Sequence, residues 1–329
     1  MKKVKYPVGS KMLFNIQKKF VKGEVNSYMP KEEPQRKILA TGVQYQSEIK
    51  YGDKYPNSYL DIYSYHNDKD NSRPTLLFIH GGGYVWGDKA EGDANAKNVS
   101  FEETMMYYLE LVKDGFNVVS INYALAPEYV YPVPIYQINE AIIFLIKHQD
   151  EYRMDMNRVI FVGGSAGGQL AGQYVNIQTN PEYAQELMIR PVLSNGEIKA
   201  VVFNCALLDP ARFDKTDSLL TNYLFRVMKM IYFRNGIGSF KLNIKQGNVI
   251  KNMTRNFPPT YITDGNSMTF VPQAKEVANQ LDKLNIKHQL TLYEKSEAKL
   301  LHGYDVCLGN PKARDNYEKM IMFLTESVS

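Results

Sequence analysis

The stretch Gly163-Gly164-Ser165-Ala166-Gly167-Gly168 limits what this chain can fold into more than any other. It follows the apolar run Val159-Ile160-Phe161-Val162 and opens onto a helix-compatible segment at 169–177, so the local order is strand, tight turn, helix. A serine at the tip of such a turn projects its hydroxyl above a sheet, and its small neighbours let the chain turn back with positive φ and pack helix closely on strand. Ser165 therefore reads as a nucleophile. A glycine-rich turn with an incidental serine is the competing reading, because short matches of this kind arise by chance.

A second stretch weighs against chance. The run 74–79 is apolar and rich in strand formers, and it ends in His80-Gly81-Gly82-Gly83-Tyr84. Glycines there expose backbone N–H groups. Acyl transfer needs donors aimed at the oxyanion that forms on the carbonyl oxygen, and losing one typically costs about 3 to 4 kcal/mol of transition-state stabilisation. Gly81, Gly82 and Gly83 can supply them, together with the N–H of Ala166, the residue after the nucleophile. A phosphate-cradling loop is disfavoured, since no Lys-Ser or Lys-Thr follows the glycines and no helix starts directly behind them.

Four segments in order, His80-Gly81-Gly82-Gly83, Pro127-Glu128 with Tyr131-Pro132, Gly164-Ser165-Ala166-Gly167-Gly168 and His302-Gly303-Tyr304, resemble the hormone-sensitive-lipase-like branch of the α/β-hydrolase esterases. The resemblance runs from residue 59 to the C-terminus. It implies an α/β-hydrolase fold, a mostly parallel, doubly wound sheet with a helical cap. It also implies hydrolysis of carboxylic esters through an acyl-enzyme, with no metal or organic cofactor.

Composition agrees. A chain of 329 residues with 44% apolar content can bury one large α/β core with insertions. Its two cysteines, Cys205 and Cys307, lie far apart and suggest neither a disulfide framework nor a zinc site. The lysines at 2, 3 and 5 imitate the start of a signal peptide, but no uninterrupted apolar core follows and no run approaches the roughly 20 residues of a membrane span. A cytoplasmic protein is expected.

Charge is uneven. Residues 1–40 hold ten Lys or Arg against three Glu, which makes this segment +7 and the remainder −3 within the overall +4. Leu13, Ile16 and Phe20 share one helical face, with Lys11, Lys18, Lys19 and Lys22 largely around it. A membrane-surface helix fits this pattern. A cap helix over the substrate mouth, with its lysines in water, fits it better and is what the resemblance implies. Nucleic-acid binding is not expected, because the rest of the chain has no basic excess. A homodimer is compatible with the sequence.

After a linker at 30–34 the elements alternate in the doubly wound manner. Strands are expected at 59–65, 76–80, 117–123, 159–162, 201–208, 259–263 and 289–293, with an antiparallel start. Helices are expected after the capping box Ser100 and Glu103, around Ile138 to Leu145, after Ser165, and along Ala313, Tyr317, Met320 and Leu324. Between 209 and 258 the alternation lapses into helical patches, which read as an inserted cap because a structureless loop of that length is uncommon. The expected organisation is therefore a basic cap segment at 1–50 and a hydrolase domain at 51–329, with a cap insertion at 210–257.

In this fold the order is serine, acid, histidine, and only His288 and His302 follow Ser165. His288 stands at the threshold of the last strand; His302 lies in the loop beyond it beside Gly303, so His302 is the expected base. His80 is read as a structural member of the glycine loop, and Gln137, where relatives often carry an acid, as structural. The acid is displaced: the family pattern puts Ser267 in its slot, and Asp264 is the nearest carboxylate. Asp209, closing the preceding strand, is the alternative.

The expected activity is serine carboxylesterase action on small, short-acyl esters. An amidase or aryl formamidase would use the same groups, with Tyr84 and Trp86 beside the glycine loop. A non-catalytic small-molecule receptor on this fold is a third reading, which the retention of both Ser165 and His302 opposes.

Overall fold

Strand β6 (Asp155–Gly164) runs through the interior of a nine-stranded sheet of order β1-β2-β3-β5-β4-β6-β7-β8-β9. The other strands are β1 (Arg36–Ile38), β2 (Val43–Lys50), β3 (Tyr59–Tyr65), β4 (Pro74–Ile79), β5 (Asn117–Ile121), β7 (Ile198–Asn204), β8 (Thr260–Thr263) and β9 (His288–Thr291). The computed structural model describes Asn15, Asn26 and residues 36–39, 41–66, 73–89, 101–194, 196–234 and 238–329. Pairing is antiparallel from β1 to β3 and between β3 and β5, and parallel from β5 through β4, β6, β7 and β8 to β9. This is the expected α/β-hydrolase architecture.

The central strands β4, β5 and β6 are largely apolar on both faces because helices cover both. Along β4, Leu76 and Phe78 join one buried cluster while Leu77 and Ile79 join the other, and β6 divides in the same way into Ile160 and Val162 against Val159 and Phe161. Such alternation places two cores, one on each side of the sheet. Helices Phe101–Lys113 and Pro311–Val328 fill one side through Tyr108, Leu111, Met320 and Leu324. Helices Val133–Lys147, Ala166–Thr179 and Val271–Leu284 fill the other through Ile138, Leu170 and Leu281. Fully burying each such aliphatic side chain contributes about 1.5–3 kcal/mol.

The sequence expectations hold for the central strands to within a few residues and exactly mark β3. Two departures stand out. Strands β1 and β2 were not expected, and they carry residues 36–50 into the sheet, so the proposed N-terminal cap segment 1–50 ends inside it. The alternation that would have revealed β2 is broken by a bulge between Gln46 and Ile49, where Glu48 takes φ 59°. Helix Val271–Leu284 was also not expected; its buried stripe includes the small residues Ala274 and Ala278. The basic helical face at 11–22, the linker at 30–34 and Ser100 lie outside the described residues.

Between β7 and β8, where the sequence leads one to expect a cap insertion, the described helices are Leu219–Phe233, Ser239–Gln246 and Val249–Asn252. The first begins at Ser218, whose side chain accepts from the Thr221 N–H. Its Tyr232 and Phe233 are buried, and Tyr232 stacks on Tyr84 at 3.8 Å between ring centroids, so these two residues fasten the cap to the glycine loop. No helix of the described residues is long and apolar enough to cross a membrane.

Candidate active site

Ser165 sits between the end of β6 and the helix Ala166–Thr179 with φ 53° and ψ −119°, a backbone state that a non-glycine residue adopts only under constraint. The constraint is visible on both sides. The Ser165 N–H donates to the Asn204 carbonyl at 2.9 Å, and the Ser165 carbonyl accepts from Gly168 and Leu207 N–H, both at 3.1 Å. Close packing supplies the rest: a Cβ on Gly167 would lie 2.0 Å from the Ile79 carbonyl oxygen, so the helix can abut the end of β4 only with glycine there.

That approach brings the glycine loop onto the serine. A Cβ on Gly81 would lie 3.2 Å from Ser165 Cβ, and Gly82 and Gly83 follow with φ 88° and 60°. The loop is pinned from below by Tyr123, whose hydroxyl donates to the His80 and Gly81 carbonyls at 2.9 and 3.1 Å and whose ring stacks on His80. His80 is fully buried, its Nδ1 lies 3.0 Å from the Gly81 carbonyl, and burial pushes its pKa down to about 4. It is a neutral strut, as the sequence reading held. Beyond the loop, buried Lys89 pairs with Asp61 at 2.9 Å and Glu48 at 3.2 Å and ties the trailing segment to the sheet.

His302 meets Ser165 from the loop after β9. Its Nε2 lies 2.8 Å from Ser165 Oγ, and the adjoining Gly303 takes φ 80° to turn the chain there. The imidazole lies against Phe225 of the cap and Phe270, with ring centroids at 5.8 and 5.5 Å, and burial lowers its pKa to about 4. It is therefore a neutral imidazole at neutral pH. The other histidines lie elsewhere: His288 in β9 has Nδ1 3.0 Å from the Ile286 carbonyl, His66 faces Gln44, and His148 faces Glu151.

The acid needs the most revision. Asp264 directly follows β8 and comes near the imidazole, but its carboxylate reaches His302 through Thr269. The Thr269 hydroxyl donates to Asp264 Oδ1, and Thr269 Oγ1 lies 3.2 Å from His302 Nδ1. Asp264 also accepts from the Gly265 N–H at 2.8 Å and the Phe270 N–H at 2.9 Å. Burial raises its pKa to about 6 against those bonds. Ser267, which the family pattern puts in the acid slot, donates to Asn266 Oδ1 at 3.2 Å. Asp209, the alternative, has its carboxylate held by Arg212, Asn248 and the Ala211 N–H at the start of a short 3-10 turn.

Thr269 was not singled out from the sequence. The displaced acid was the one signal pointing to the 264–270 loop, and nothing in the spacing marks a threonine as its bridge. Cys205 was likewise passed over. Buried at φ 48°, it accepts from the Gly303 N–H at 3.3 Å, and its thiol lies 3.4 Å from Asp305 Oδ1. Cys205, Asp264 and His302 each bring one metal-capable atom to within 4.8 Å of the others. They suit a metal poorly, because burial and two carboxylates hold the thiol protonated and His302 already faces Ser165 and Thr269.

Gln137 bears out its structural reading. Its amide oxygen accepts from the Ala124 N–H at 2.7 Å, and its nitrogen donates to the Pro56 carbonyl at 2.8 Å and to Ser58 Oγ at 3.0 Å. A buried carboxylate there would lose the two donated bonds.

Comparison with known proteins extends this picture. A model of the BD-FAE family matches residues 60–281. Esterase LipC of Mycobacterium tuberculosis is 26% identical over 269 residues, covering 80% of this chain and 61% of LipC. Acetyl esterase of Salmonella paratyphi B is 29% identical over 117 residues, which span 35% of this chain and 33% of that enzyme. The chain thus matches less than two thirds of these relatives' length. Among solved structures, esterase B of Lactobacillus rhamnosis superposes with a TM-score of 0.72 over 97% of this chain and 91% of its own, at 18% identity. The likeness of fold therefore extends over nearly the whole chain.

Proposed function

Starting from the chain's membership of the BD-FAE family, we propose that it is a serine carboxylesterase acting on small, short-acyl carboxylic esters through an acyl-enzyme. The observation that carries this reading is the 2.8 Å contact between Ser165 Oγ and His302 Nε2 beneath the glycine loop. Ser165 Oγ attacks the ester carbonyl carbon while its proton passes to His302 Nε2. The oxyanion so formed is held by backbone N–H groups of Gly81, Gly82, Gly83 and Ala166. His302 then protonates the departing alkoxide, and the alcohol leaves. A water gives its proton to His302 Nε2 and attacks the acyl carbon; collapse returns the proton to Ser165 and frees the carboxylic acid.

The short-acyl preference has two supports. The name of the Salmonella relative is acetyl esterase. The cap also stands over the loop: a Cβ on Gly83 would lie 2.3 Å from Met228 Sδ, and Phe225 covers one side of His302. An acyl chain leaving Ser165 meets these side chains early.

The test is a panel of p-nitrophenyl esters from acetyl to dodecanoyl, with the matching anilides, on purified protein. Turnover of acetyl to butyryl esters above long-chain esters and anilides supports the reading. Preference for the anilides would make the protein an amidase, and binding without turnover would make it a receptor.

A further inference from the structure

The 264–270 loop is built around the Asp264 carboxylate and pressed against the histidine loop. A Cβ on Gly265 would lie 2.6 Å from the Leu301 carbonyl oxygen, and Asn266 crosses between the loops, donating to the Tyr293 and Ala298 carbonyls and accepting from the Leu300 N–H at 3.0 Å. Phe270, the last residue of the loop, donates its N–H to Asp264 and stands immediately before the next helix. Thr269 is thereby held with its hydroxyl between carboxylate and imidazole and is itself buried.

A hydroxyl has one proton to give and two lone pairs to receive. Ionised Asp264 can only accept, and the Gly265 and Phe270 N–H groups already point at its two oxygens. The Thr269 proton therefore goes to Asp264, which leaves Thr269 Oγ1 as an acceptor toward His302. An acceptor at Nδ1 requires the Nδ1–H tautomer of the imidazole. Nε2 is then unprotonated and faces the Ser165 hydroxyl, which is the state a general base needs.

We infer that Thr269 is a positioning residue that relays the Asp264 carboxylate to His302 and fixes the tautomer in which His302 can take the Ser165 proton. The triad of this chain is thus extended to a four-residue line, Ser165, His302, Thr269, Asp264. This rests on the reading of Ser165 and His302 as nucleophile and base.

Three variants and one spectrum test it on the full chain. Thr269→Val keeps the side-chain shape and removes both hydrogen-bond roles; it should lower kcat by about 100-fold or more with KM within about twofold, as expected for a lost orienting contact. Thr269→Ser keeps the hydroxyl and should restore kcat to within about fivefold of wild type. The double variant Thr269→Val with Asp264→Asn should be no slower than the slower single variant, because both cut the same line. Wild-type activity in Thr269→Val, equal losses in the Ser and Val variants, or additive losses in the double variant would each overturn the relay.

The spectrum guards against a variant that fails to fold. Nitrogen NMR of the histidine-labelled wild-type protein at pH 8, with His302→Gln to assign the signal, should show the proton on Nδ1; a proton on Nε2 overturns the relay. It is read on the resting protein, so it stands apart from turnover. A Ser165→Ala protein that kept esterase activity would instead overturn the assignment of Ser165 on which the relay rests.

Discussion

Met228 on the cap helix and Gly83 in the glycine loop occupy adjoining space so closely that a methyl on the glycine would sit 2.3 Å from the methionine sulfur. Met228 is buried, on the same helix as Phe225, which packs against His302. In the proposed mechanism the acyl group lies beside these side chains. Met228→Ala is expected to raise the octanoyl-to-acetyl ratio of kcat/KM by about tenfold, the size of effect one or two methylenes have in an apolar pocket. It should also cost about 2–4 kcal/mol of stability from the cavity it leaves. Kinetics on the ester panel and urea unfolding check the two numbers, and an unchanged ratio would place the acyl chain elsewhere.

Activity should fall on the acid side as Asp264 gains a proton, ahead of His302. Burial raises the Asp264 pKa to about 6, while the same cause lowers His302 to about 4. The groups facing Asp264 are the Thr269 hydroxyl, the Cys205 thiol, the Gly265 and Phe270 N–H groups and the His302 imidazole, with Asp305 behind Cys205. A protonated Asp264 can donate to Thr269, which then donates to His302 Nδ1 and leaves the proton on the wrong nitrogen. Activity is therefore complete well above pH 6 and lost as pH falls through it. In a pH profile of kcat/KM, an acid limb centred near 4 would assign the loss to His302 alone.

Asp264→Asn and Asp209→Asn should separate sharply. The amide at 264 must turn its NH2 either toward Phe270 N–H or toward Thr269, so it breaks the loop or reverses the line. We expect kcat to fall by about 1000-fold, somewhat less than the roughly 10⁴ found where the carboxylate touches the imidazole directly. Asp209→Asn loses the ion pair with Arg212 and should lower the unfolding midpoint while kcat stays within about threefold. A large kinetic loss at 209 with none at 264 would reverse this assignment.

What could be read from the sequence follows from how local each cause is. Ser165 and the glycine loop announce themselves because strand, turn and helix chemistry lie within a few neighbouring residues. His302 could be placed because chain order left only one other histidine after the serine. Strand β2 could not, since the bulge at Glu48 shifts its inward residues out of alternation. Thr269 could not either. Its role depends on Gly265 and Asn266 holding one loop against another, a contact between segments more than thirty residues apart that leaves no periodic trace.

The most direct measurement is the mass of the intact protein after reaction with a fluorophosphonate, alongside esterase kinetics, for wild type and Ser165→Ala. The Ser165 to His302 arrangement predicts one adduct per wild-type chain, mapped to the peptide holding Ser165. The variant should show no adduct and a kcat lowered by about 10⁴-fold or more, as removal of a serine nucleophile does elsewhere. An adduct that persists in Ser165→Ala, or a variant that still turns over esters at the wild-type rate, would contradict Ser165 as the nucleophile.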